Sequence, residues 1–561
     1  MGLLNLGVTP KAPGGAALTL SAPQIATEGT GADRTLSYTL TLARNGLAEA
    51  VPFTWSVAGR GADPASASDF AGGAFPAGSG TFAAGETVKT LTLTIAGDSS
   101  PEADEGFAIT VVATVPLLAT GTGTIRDDDA GGGNAPAALL MGSRFNQMGY
   151  GGTMSNGTDQ DSNSRIASYN ETGATVTKLR AYFTNWLATA TNEADGSDPI
   201  TVTAAIEYPA GTITPLTFAG APSVTIPAAH PDNWAESDEA VPATPIPAGA
   251  IYWVRTSVSV AAGGKWVQGY VVQPGSPLLE AADFATGVNR TGGGTITNAT
   301  PTATRRGYGP CAVKATGFGG TPVGKAFAGV GDSLIYGVGD AADAASATRG
   351  NIGYFGRACA GSYPYVNMGY AGTKAFENQP AAFVRRAALL SRIGVTHVFC
   401  NWSVNDTNAG RTVAQQTADI AAIAAGFKSA VPQVKLVYAT QCPSTTSSDG
   451  WRTVAGQAPK ATPTGAFTGG AGSRRAQVNA ALRGGIGGID ILFDAADVAE
   501  TARDSGLWRS GDGSTHLTAT GAATDAFTAD GGHPVVSSIA APGFGGIYVL
   551  RDAVRAVFAG W

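Results

Sequence analysis

A serine about three-fifths of the way along the chain and an aspartate–histidine pair near its end have the residue types needed for acyl transfer. Ser333 follows Gly331 and Asp332 directly after a short apolar run. Asp530 and His533 are three positions apart, which lets the carboxylate turn back to Nδ1 of the imidazole and leaves Nε2 free to face a serine. A serine hydroxyl beside such a base can act as a nucleophile.

Two further blocks lie between these residues in the chain. Asn367-Met368-Gly369-Tyr370-Ala371-Gly372-Thr373 follows one apolar run, and Ser403-Val404-Asn405-Asp406 follows the next. Gly-Asp-Ser by itself is also ordinary turn chemistry. Ile335 stands where a G-x-S-x-G motif has its last glycine, so the elbow of the α/β-hydrolases is excluded.

Taken together and in this order, the four blocks resemble those of the SGNH, or GDSL, hydrolase family. The family's blocks are GDS, a glycine after the second strand, G-x-N-D and D-x-x-H, and the resemblance covers about residues 325–561. It implies a serine esterase that needs no cofactor for catalysis.

The resemblance also implies a role for each matching residue. Ser333 would be the nucleophile, His533 its general base, and Asp530 the carboxylate that orients the imidazole. The backbone N–H groups of Ser333 and Gly372 and the side-chain amide of Asn405 would form the oxyanion hole.

Two features depart from the family pattern, and one histidine is a rival. Ser403 replaces the usual glycine of the third block, and a long connection, PVVSSIAAPGFGG, follows His533. Asp512 and His516 resemble the last block with one extra residue, so His516 is the alternative base. We favour His533 because its spacing from Asp530 is that of the family.

Other candidate residues are interpreted as structural. His397 lies in an apolar run and is expected to be a core histidine, while His230 lies in a loop rich in proline and alanine. Asp332 and Asp406 are expected to tie loops together by hydrogen bonds rather than to act as acids.

The elements around the blocks predict how they are positioned. From residue 325, short apolar runs alternate with helical patterns, which predicts a three-layer α/β/α domain with a parallel, flavodoxin-like sheet. Thr412 and Gln415 form a capping box for a helix from Val413, and residues 547–559 carry one apolar stripe. Ligands bind at the carboxyl ends of strands in such folds, where the first three blocks stand.

Residues 17–129 alternate apolar and polar positions with a period of two and predict an antiparallel β-sandwich. The order from SDF through GTFAAGETVKTLTLTIAGDSSPEADEGF to GTIRDDD resembles that of the Calx-beta domain. Carboxylate oxygens that converge at one end of a sandwich suit Ca²⁺. The resemblance implies these ligands: Glu28, Asp69, Asp98, Glu105, Asp127, Asp128 and Asp129. A domain of this type that has lost its metal is the alternative.

Residues 139–316 predict a second β-sandwich or jelly roll, with candidate strands at 174–183, 200–208, 250–260 and 265–272, and a carbohydrate-binding role would suit this block. Its tryptophans are expected to be mostly core residues. The remaining segments of the predicted organisation are an N-terminal segment at 1–16, the linkers 130–138 and 317–324, and the catalytic domain at 325–561.

Composition excludes several classes of protein. The 561 residues carry a net charge of only −7 and no basic block, which argues against a nucleic-acid partner. The four cysteines and four histidines lack zinc spacings, and the pairing of the cysteines stays open. No apolar run is long enough to span a membrane, and no Sec signal peptide is visible at the N-terminus.

The sequence therefore predicts a modular esterase whose substrate is an O-acetyl group on a polysaccharide. A lipase, thioesterase or arylesterase is the alternative enzyme, and a surface or virion binding protein with a vestigial hydrolase domain is the non-enzymatic alternative. We expect the protein outside the cell, at a cell surface or on a phage virion, after export by a non-Sec route. The oligomeric state cannot be read from the sequence.

Overall fold

A computed structural model describes most of the chain as two compact units, Met1–Pro136 and Ala137–Trp561. The described residues are 16–21, 24–28, 33–44, 47–60, 64–97, 105–114, 117–126, 138–142, 154–189, 191, 193–269, 277–297, 307–340, 353–511, 516–517, 526–536 and 544–560. Within these ranges, no helix has the length and hydropathy required to cross a membrane.

The first unit is a β-sandwich. Its strands are β1 (Ala17–Leu20), β2 (Gln24–Thr27), β3 (Arg34–Ala43), β4 (Val51–Gly59), β5 (Ala77–Phe82), β6 (Val88–Ile95), β7 (Glu105–Ala113) and β8 (Leu117–Arg126). One sheet has the order β1-β3-β6 and the other β2-β8-β7-β4-β5, and all pairs are antiparallel except β2 with β8. Tyr38 and Leu40 of β3 and Phe107 and Ile109 of β7 are buried, as the period of two predicts.

The second unit begins with antiparallel strands. They are β9 (Leu139–Leu140), β10 (Asp161–Tyr169), β11 (Thr175–Thr184), β12 (Trp186–Ala188), β13 (Glu193–Asp195), β14 (Ile200–Glu207), β15 (Ile213–Pro215), β16 (Val224–Ile226), β17 (Trp234–Glu236), β18 (Ile251–Ser259), β19 (Ala281–Asp283) and β20 (Ala312–Gly319). A sheet of order β15-β14-β18-β10-β19, with β16 also on β14, accompanies a sheet of order β17-β11-β20-β9. We call residues 138–319 the inner sandwich.

Most of the strands predicted for the inner sandwich are present, and one is not. The strand predicted at residues 265–272 is wrong over its described part, 265–269, where only an isolated bridge joins Val267 to Met154. Trp266 there is a core residue whose indole N–H donates to the carbonyl of Asp159. The segment places the Trp266 ring in the core and does not add a strand to the sheet.

The last part of the second unit is an α/β/α domain. Its strands are β21 (Phe327–Val330), β22 (Tyr365–Asn367), β23 (His397–Cys400), β24 (Lys435–Ala439), β25 (Thr445–Ser447), β26 (Gln457–Pro459) and β27 (Ile491–Phe493). Its helices are α1 (Ser333–Tyr336), α2 (Gly353–Cys359), α3 (Val384–Leu390), α4 (Val404–Asn408), α5 (Val413–Ala430), α6 (Arg474–Arg483), α7 (Ala495–Ala499) and α8 (Gly546–Ala559). The predicted boundary between this domain and the inner sandwich stays a prediction.

The central sheet has five parallel strands in the order β22-β21-β23-β24-β27. Successive residues of β21 point to opposite faces: Phe327 packs in the cluster that contains α2 and α8, and Ala328 in the cluster that contains α3, α5 and α6. The predicted three-layer fold is confirmed. Because the strand order reverses at β21, the carboxyl end of β21 is the switch point where such folds bind ligands.

Two predicted helices are present with the predicted details. Thr412 Oγ1 accepts from the amide of Gln415, whose side chain accepts from the amide of Thr412, so the capping box at the start of α5 is formed. In α8, Leu550, Val554 and Phe558 are buried on one face. The two helices thus cover opposite faces of the sheet, α5 one and α8 the other.

Several titratable residues of the second unit are buried. His397 is buried, with Nδ1 2.7 Å from Thr396 Oγ1, and burial together with the charges of Lys325 and Lys435 lowers its pKa to about 3. The cysteines are buried free thiols at the following positions: Cys311, Cys359, Cys400 and Cys442.

Candidate active site

Ser333 stands at the turn from β21 into α1. Gly331 is required just before it, because a Cβ at that position would lie 1.7 Å from Asn401 Oδ1. Asp332 caps the helix by accepting a hydrogen bond from the amide of Leu334 at 3.0 Å. The side chain of Ser333 is therefore held at the carboxyl end of the central strand.

Asp332 is buried and locked to the neighbouring strand end. Asn401, directly after β23, donates from Nδ2 to Asp332 Oδ1 at 2.9 Å and accepts from the Asp332 amide at 3.1 Å. Burial raises the pKa of Asp332 to about 6, although hydrogen bonds from Leu334 and Asn401 oppose the shift. As predicted, its contacts are those of a residue that ties loops together.

His533 makes direct contact with Ser333. The distance from His533 Nε2 to Ser333 Oγ is 2.8 Å, and the distance from His533 Nδ1 to Asp530 Oδ2 is 2.6 Å. Burial alone would raise the pKa of Asp530, but hydrogen bonds from the His533 ring and from the amides of Gly532 and His533 hold it well below its usual range. An ionised Asp530 can stabilise an imidazolium that forms at His533.

A tight turn presents this histidine. Gly531 has φ of +75° and its missing Cβ would lie 2.0 Å from the carbonyl oxygen of Thr445 on β25. Its own carbonyl accepts hydrogen bonds from the Thr445 amide and from Nε1 of Trp508. The turn from Asp530 to His533 is therefore pinned to the hairpin of β25 and β26.

The loop from Met368 to Asn378, which we call the Gly372 loop, is tied to the end of β21. The amide of Tyr370 and Oγ1 of Thr373 both donate to the carbonyl of Gly331, at 2.9 and 3.0 Å. Gly372 itself is exposed and has φ of +81°, a conformation that favours glycine. Gly372 thus lies in a segment fastened next to the nucleophile.

Asn405 lies in α4 and is joined to the same loop. Its Nδ2 donates to the carbonyl of Thr373 at 3.0 Å, which uses one of the two N–H groups of the amide. Thr373 Oγ1 also accepts from Nε1 of Trp402 at 2.8 Å. Ser403, where the family pattern has glycine, has φ of 173°, which lies outside the left-handed region that favours glycine.

Asp406 holds the far side of the loop. Its carboxylate accepts from the amides of Ala375 and Phe376 at 2.9 and 3.1 Å. Burial raises its pKa to about 6, opposed by these two hydrogen bonds. The expectation that Asp406 ties loops together thus agrees with its contacts.

The rival histidine has a different partner. His516 Nε2 lies 2.5 Å from Asp552 Oδ2 on α8, and its ring packs beside that of Tyr548. Asp512 lies outside the described residues. The geometry therefore favours His533 over His516 as the base for Ser333.

Sequence reasoning missed three residues that build this site. Asn401, Trp402 and Thr373 hold Asp332 and the Gly372 loop, and all three are buried. Asn401 and Trp402 stand directly after a buried strand, and that position was a usable signal. Thr373 stands in the second block, but its role could not be read there, because Gly331 and Trp402, two of its hydrogen-bond partners, lie far away in the chain.

The predicted calcium ligands lie in the first unit and are only partly described. Glu28 directly follows β2, and Glu105 is the first residue of β7. Both strands pair with β8, where Thr27 lies opposite Arg126 and Glu105 lies opposite Ile125. Asp69 is instead engaged by Ser66, whose amide and hydroxyl both donate to its carboxylate. Asp98, Asp127, Asp128 and Asp129 lie outside the described residues. Among the described residues, no three potential ligands come together, so calcium binding stays a prediction.

Residues 330–524 match the model of the GDSL-like lipase/acylhydrolase family. This match confirms the family resemblance of the C-terminal domain. It includes Ser333, Gly372 and Asn405, whereas Asp530 and His533 lie beyond its end. No curated protein matches the chain.

Several solved structures resemble parts of the chain at low identity. A family two carbohydrate esterase from Clostridium thermocellum is 10% identical, with 76% of this chain and 98% of that chain covered and a TM-score of 0.27. A protein described as a GDSL-like lipase from Parabacteroides merdae is 13% identical, with 42% and 95% covered and a TM-score of 0.27. The apo-form of the Calx CBD1 domain is 16% identical, with 20% and 99% covered and a TM-score of 0.17.

Proposed function

We propose that this chain is a serine esterase that cleaves its substrate through an acyl-serine intermediate. The observation that carries the proposal is the continuous chain of hydrogen bonds from Asp530 through His533 to Ser333. The match of residues 330–524 to an acylhydrolase family supports the same reaction class.

The geometry suggests how each step proceeds. Ser333 Oγ attacks the ester carbonyl while His533 Nε2 takes its proton, and Asp530 stabilises the imidazolium. The negative charge on the carbonyl oxygen would be met by the amides of Ser333 and Gly372 and by Nδ2 of Asn405. His533 then returns the proton to the departing alkoxide, and water, activated by the same base, hydrolyses the acyl-serine.

We assign an O-acetyl group on a polysaccharide as the substrate. The inner sandwich adjoins the α/β/α domain within one unit, and a module beside a catalytic site can hold a polymer near the nucleophile. This substrate would place the chain outside the cell, at a cell surface or on a phage particle. Neither catalysis nor this substrate requires a cofactor.

One observation favours a second candidate, hydrolysis of esters with longer acyl chains. An apolar cavity of about 250 Å³ lies between α3 and α5 and is lined in part by Phe383, Trp402 and Phe427. The indole N–H of Trp402 donates to Thr373 of the Gly372 loop, and Asn378 at the end of that loop also lines the cavity, so the cavity adjoins the loop. Opening at Trp402 would offer room for an acyl chain.

The reaction class is tested by the hydrolysis of p-nitrophenyl acetate by the wild type and Ser333→Ala. We expect the substitution to abolish turnover, and we expect Ser391→Ala, at an exposed serine of the same domain, to leave it unchanged. Turnover that survives Ser333→Ala would remove Ser333 as the nucleophile.

The substrate is tested with two series of esters. Acetate release from acetylated xylan, absent in Ser333→Ala, is the expected result for a polysaccharide esterase. The rate with p-nitrophenyl esters is expected to fall as the acyl chain lengthens from acetate to octanoate. A rate that rises along this series would favour the second candidate instead.

A further inference from the structure

We propose that Glu193, a residue of the inner sandwich, is a positioning residue for the oxyanion hole and acts through Arg386. This inference rests on the proposed esterase function. It makes the inner sandwich a part of the active-site framework, beyond any role in holding a substrate. Glu193 and Arg386 are 193 positions apart, and no motif joins them.

Glu193 caps a helix of the α/β/α domain. Helix α3 has no side-chain cap of its own at Phe383. The Glu193 carboxylate supplies one from β13, because Oε2 accepts from the amide of Arg385 at 2.7 Å and Oε1 accepts from the amide of Arg386 at 3.0 Å. A negative charge at this end of a helix is also favoured by the helix dipole.

The same carboxylate fixes the side chain of Arg386. Nε of Arg386 donates to Glu193 Oε1 at 2.9 Å, and both side chains are completely buried. The guanidinium lies 4.3 Å from the centre of the Phe383 ring. A buried arginine needs this partner, because an uncompensated charge in the interior is strongly unfavourable.

The remaining nitrogens of Arg386 form hydrogen bonds with both ends of the Gly372 loop. Nη1 donates to the carbonyl of Met368 at 3.3 Å, and Nη2 donates to Oδ1 of Asn378 at 3.0 Å. Gly372 and Thr373, the latter bound to Asn405, lie between these two points. Because a guanidinium is a rigid planar fork, its orientation sets the separation of the two ends.

The presence of a buried ion pair between Glu193 and Arg386 indicates a role other than stability. An apolar pair of similar size would commonly serve stability as well as a buried ion pair does. What an apolar pair cannot do is donate simultaneously to Met368 and Asn378. The geometry therefore indicates that Glu193 and Arg386 hold the Gly372 loop in place.

The test compares Glu193→Gln with a matched control in the full chain. The control is Asp195→Asn, which weakens the Arg385–Asp195 pair, another pair between β13 and α3. Among the described residues, the other hydrogen-bond partners of the Asp195 carboxylate are His230 and Asn233, which lie outside the Gly372 loop. For Glu193→Gln we expect kcat with p-nitrophenyl acetate to fall ~100-fold, as for a misplacement of ~1 Å, with KM changed less than ~threefold. Asp195→Asn is expected to keep the wild-type kcat.

A double variant separates loop placement from simple loss of stability. E193M combined with R386M removes both buried charges, so the melting temperature is expected to exceed that of Glu193→Gln, in which Arg386 stays buried without its counter-charge. We expect kcat to stay low, because the donors to Met368 and Asn378 are gone. A kcat that recovers together with the melting temperature would overturn the proposal, and so would a wild-type kcat in Glu193→Gln.

Measurement of Ser333→Ala in the same assay keeps the two proposals distinguishable. An inactive Ser333→Ala with a fully active Glu193→Gln would contradict only the role of Glu193. An active Ser333→Ala would contradict the esterase proposal on which that role rests.

Discussion

The imidazole of His533 lies with Nε2 2.8 Å from the hydroxyl oxygen of Ser333, a residue 200 positions earlier in the chain. This is a hydrogen-bond distance suited to proton transfer. The contact exists because β21 ends at the switch point of the sheet and because the turn at Gly531 is pinned to the β25–β26 hairpin. The role of each partner can be examined separately.

Replacement of the two candidate bases should have opposite outcomes. His533→Ala is expected to lower kcat/KM for p-nitrophenyl acetate by ~10⁴-fold, because general-base assistance to Ser333 is lost. His516→Ala is expected to leave kcat/KM within about tenfold, since His516 contacts Asp552 instead. A loss of activity in His516→Ala but not in His533→Ala would reverse the assignment.

Asn405→Ala should affect the transition state more than substrate binding. The loss of one oxyanion-hole donor is expected to reduce kcat ~100-fold or more, with KM little changed. Asn408→Ala is the control, because Asn408 lies in the same helix but its amide oxygen accepts from Lys460 Nζ instead. A raised KM with an unchanged kcat would exclude Asn405 from the oxyanion hole.

Gly531→Ala should disable the site through the backbone. The residue has φ of +75° and a Cβ there would meet the Thr445 carbonyl at 2.0 Å, so the Asp530–His533 turn must shift. We expect loss of esterase activity and a lower melting temperature. Gly532→Ala is the matched control, since the nearest atom to its Cβ would be Asp530 Oδ1 at 3.7 Å, and its effect should be much smaller. Equal activities of the two variants would contradict this account of the turn.

His397 should contribute to the loss of stability in acid. Its pKa is lowered to about 3 in the folded chain, so the unfolded chain, with an ordinary pKa of ~6.5, binds more protons between these values. Stability from the neutral, buried ring is complete above pH ~6.5 and is lost as the pH falls toward the folded pKa, by up to about 5 kcal/mol.

The His397 prediction is checked by chemical denaturation of the wild type and His397→Phe between pH 7 and pH 4. The free energy of unfolding of the variant is expected to fall less steeply with decreasing pH. His230→Gln, at an exposed histidine, is the control and should follow the wild type. Parallel pH profiles for the wild type and His397→Phe would disprove the linkage.

Calcium should stabilise the first unit if the predicted ligands bind it. Addition of calcium to the chelator-treated chain is expected to raise the melting temperature of the N-terminal sandwich, because a ligand that binds only the folded state stabilises it. Glu105→Gln should reduce this shift, while Glu49→Gln, at an exposed glutamate away from the predicted ligands, should not. An unchanged melt on calcium addition would leave this sandwich without a structural metal.

Much of the fold could be predicted from local patterns. The alternation in β3 and β7, the capping box at Thr412 and the stripe along α8 are properties of neighbouring residues, and the structure contains all three. The segment around Trp266 could not be predicted, because whether its apolar residues extend a strand or fill the core depends on distant partners. Whether the predicted calcium ligands meet depends on how separate loops converge. The alternation of apolar and polar residues along the strands does not determine this.

The candidate site divides in the same way. Ser333, Asn405, Asp530 and His533 could be named from the sequence because their chemistry and their spacing within each block are local and resemble those of a known family. Which of two histidines meets the serine was decided only by the tertiary structure, since both stand in loops near the C-terminus. The link from Glu193 through Arg386 to the Gly372 loop likewise exists only in the folded chain. A buried ion pair between a strand of the inner sandwich and a helix of the α/β/α domain has no local signature, because burial, orientation and distance are properties of the packing and not of either residue type.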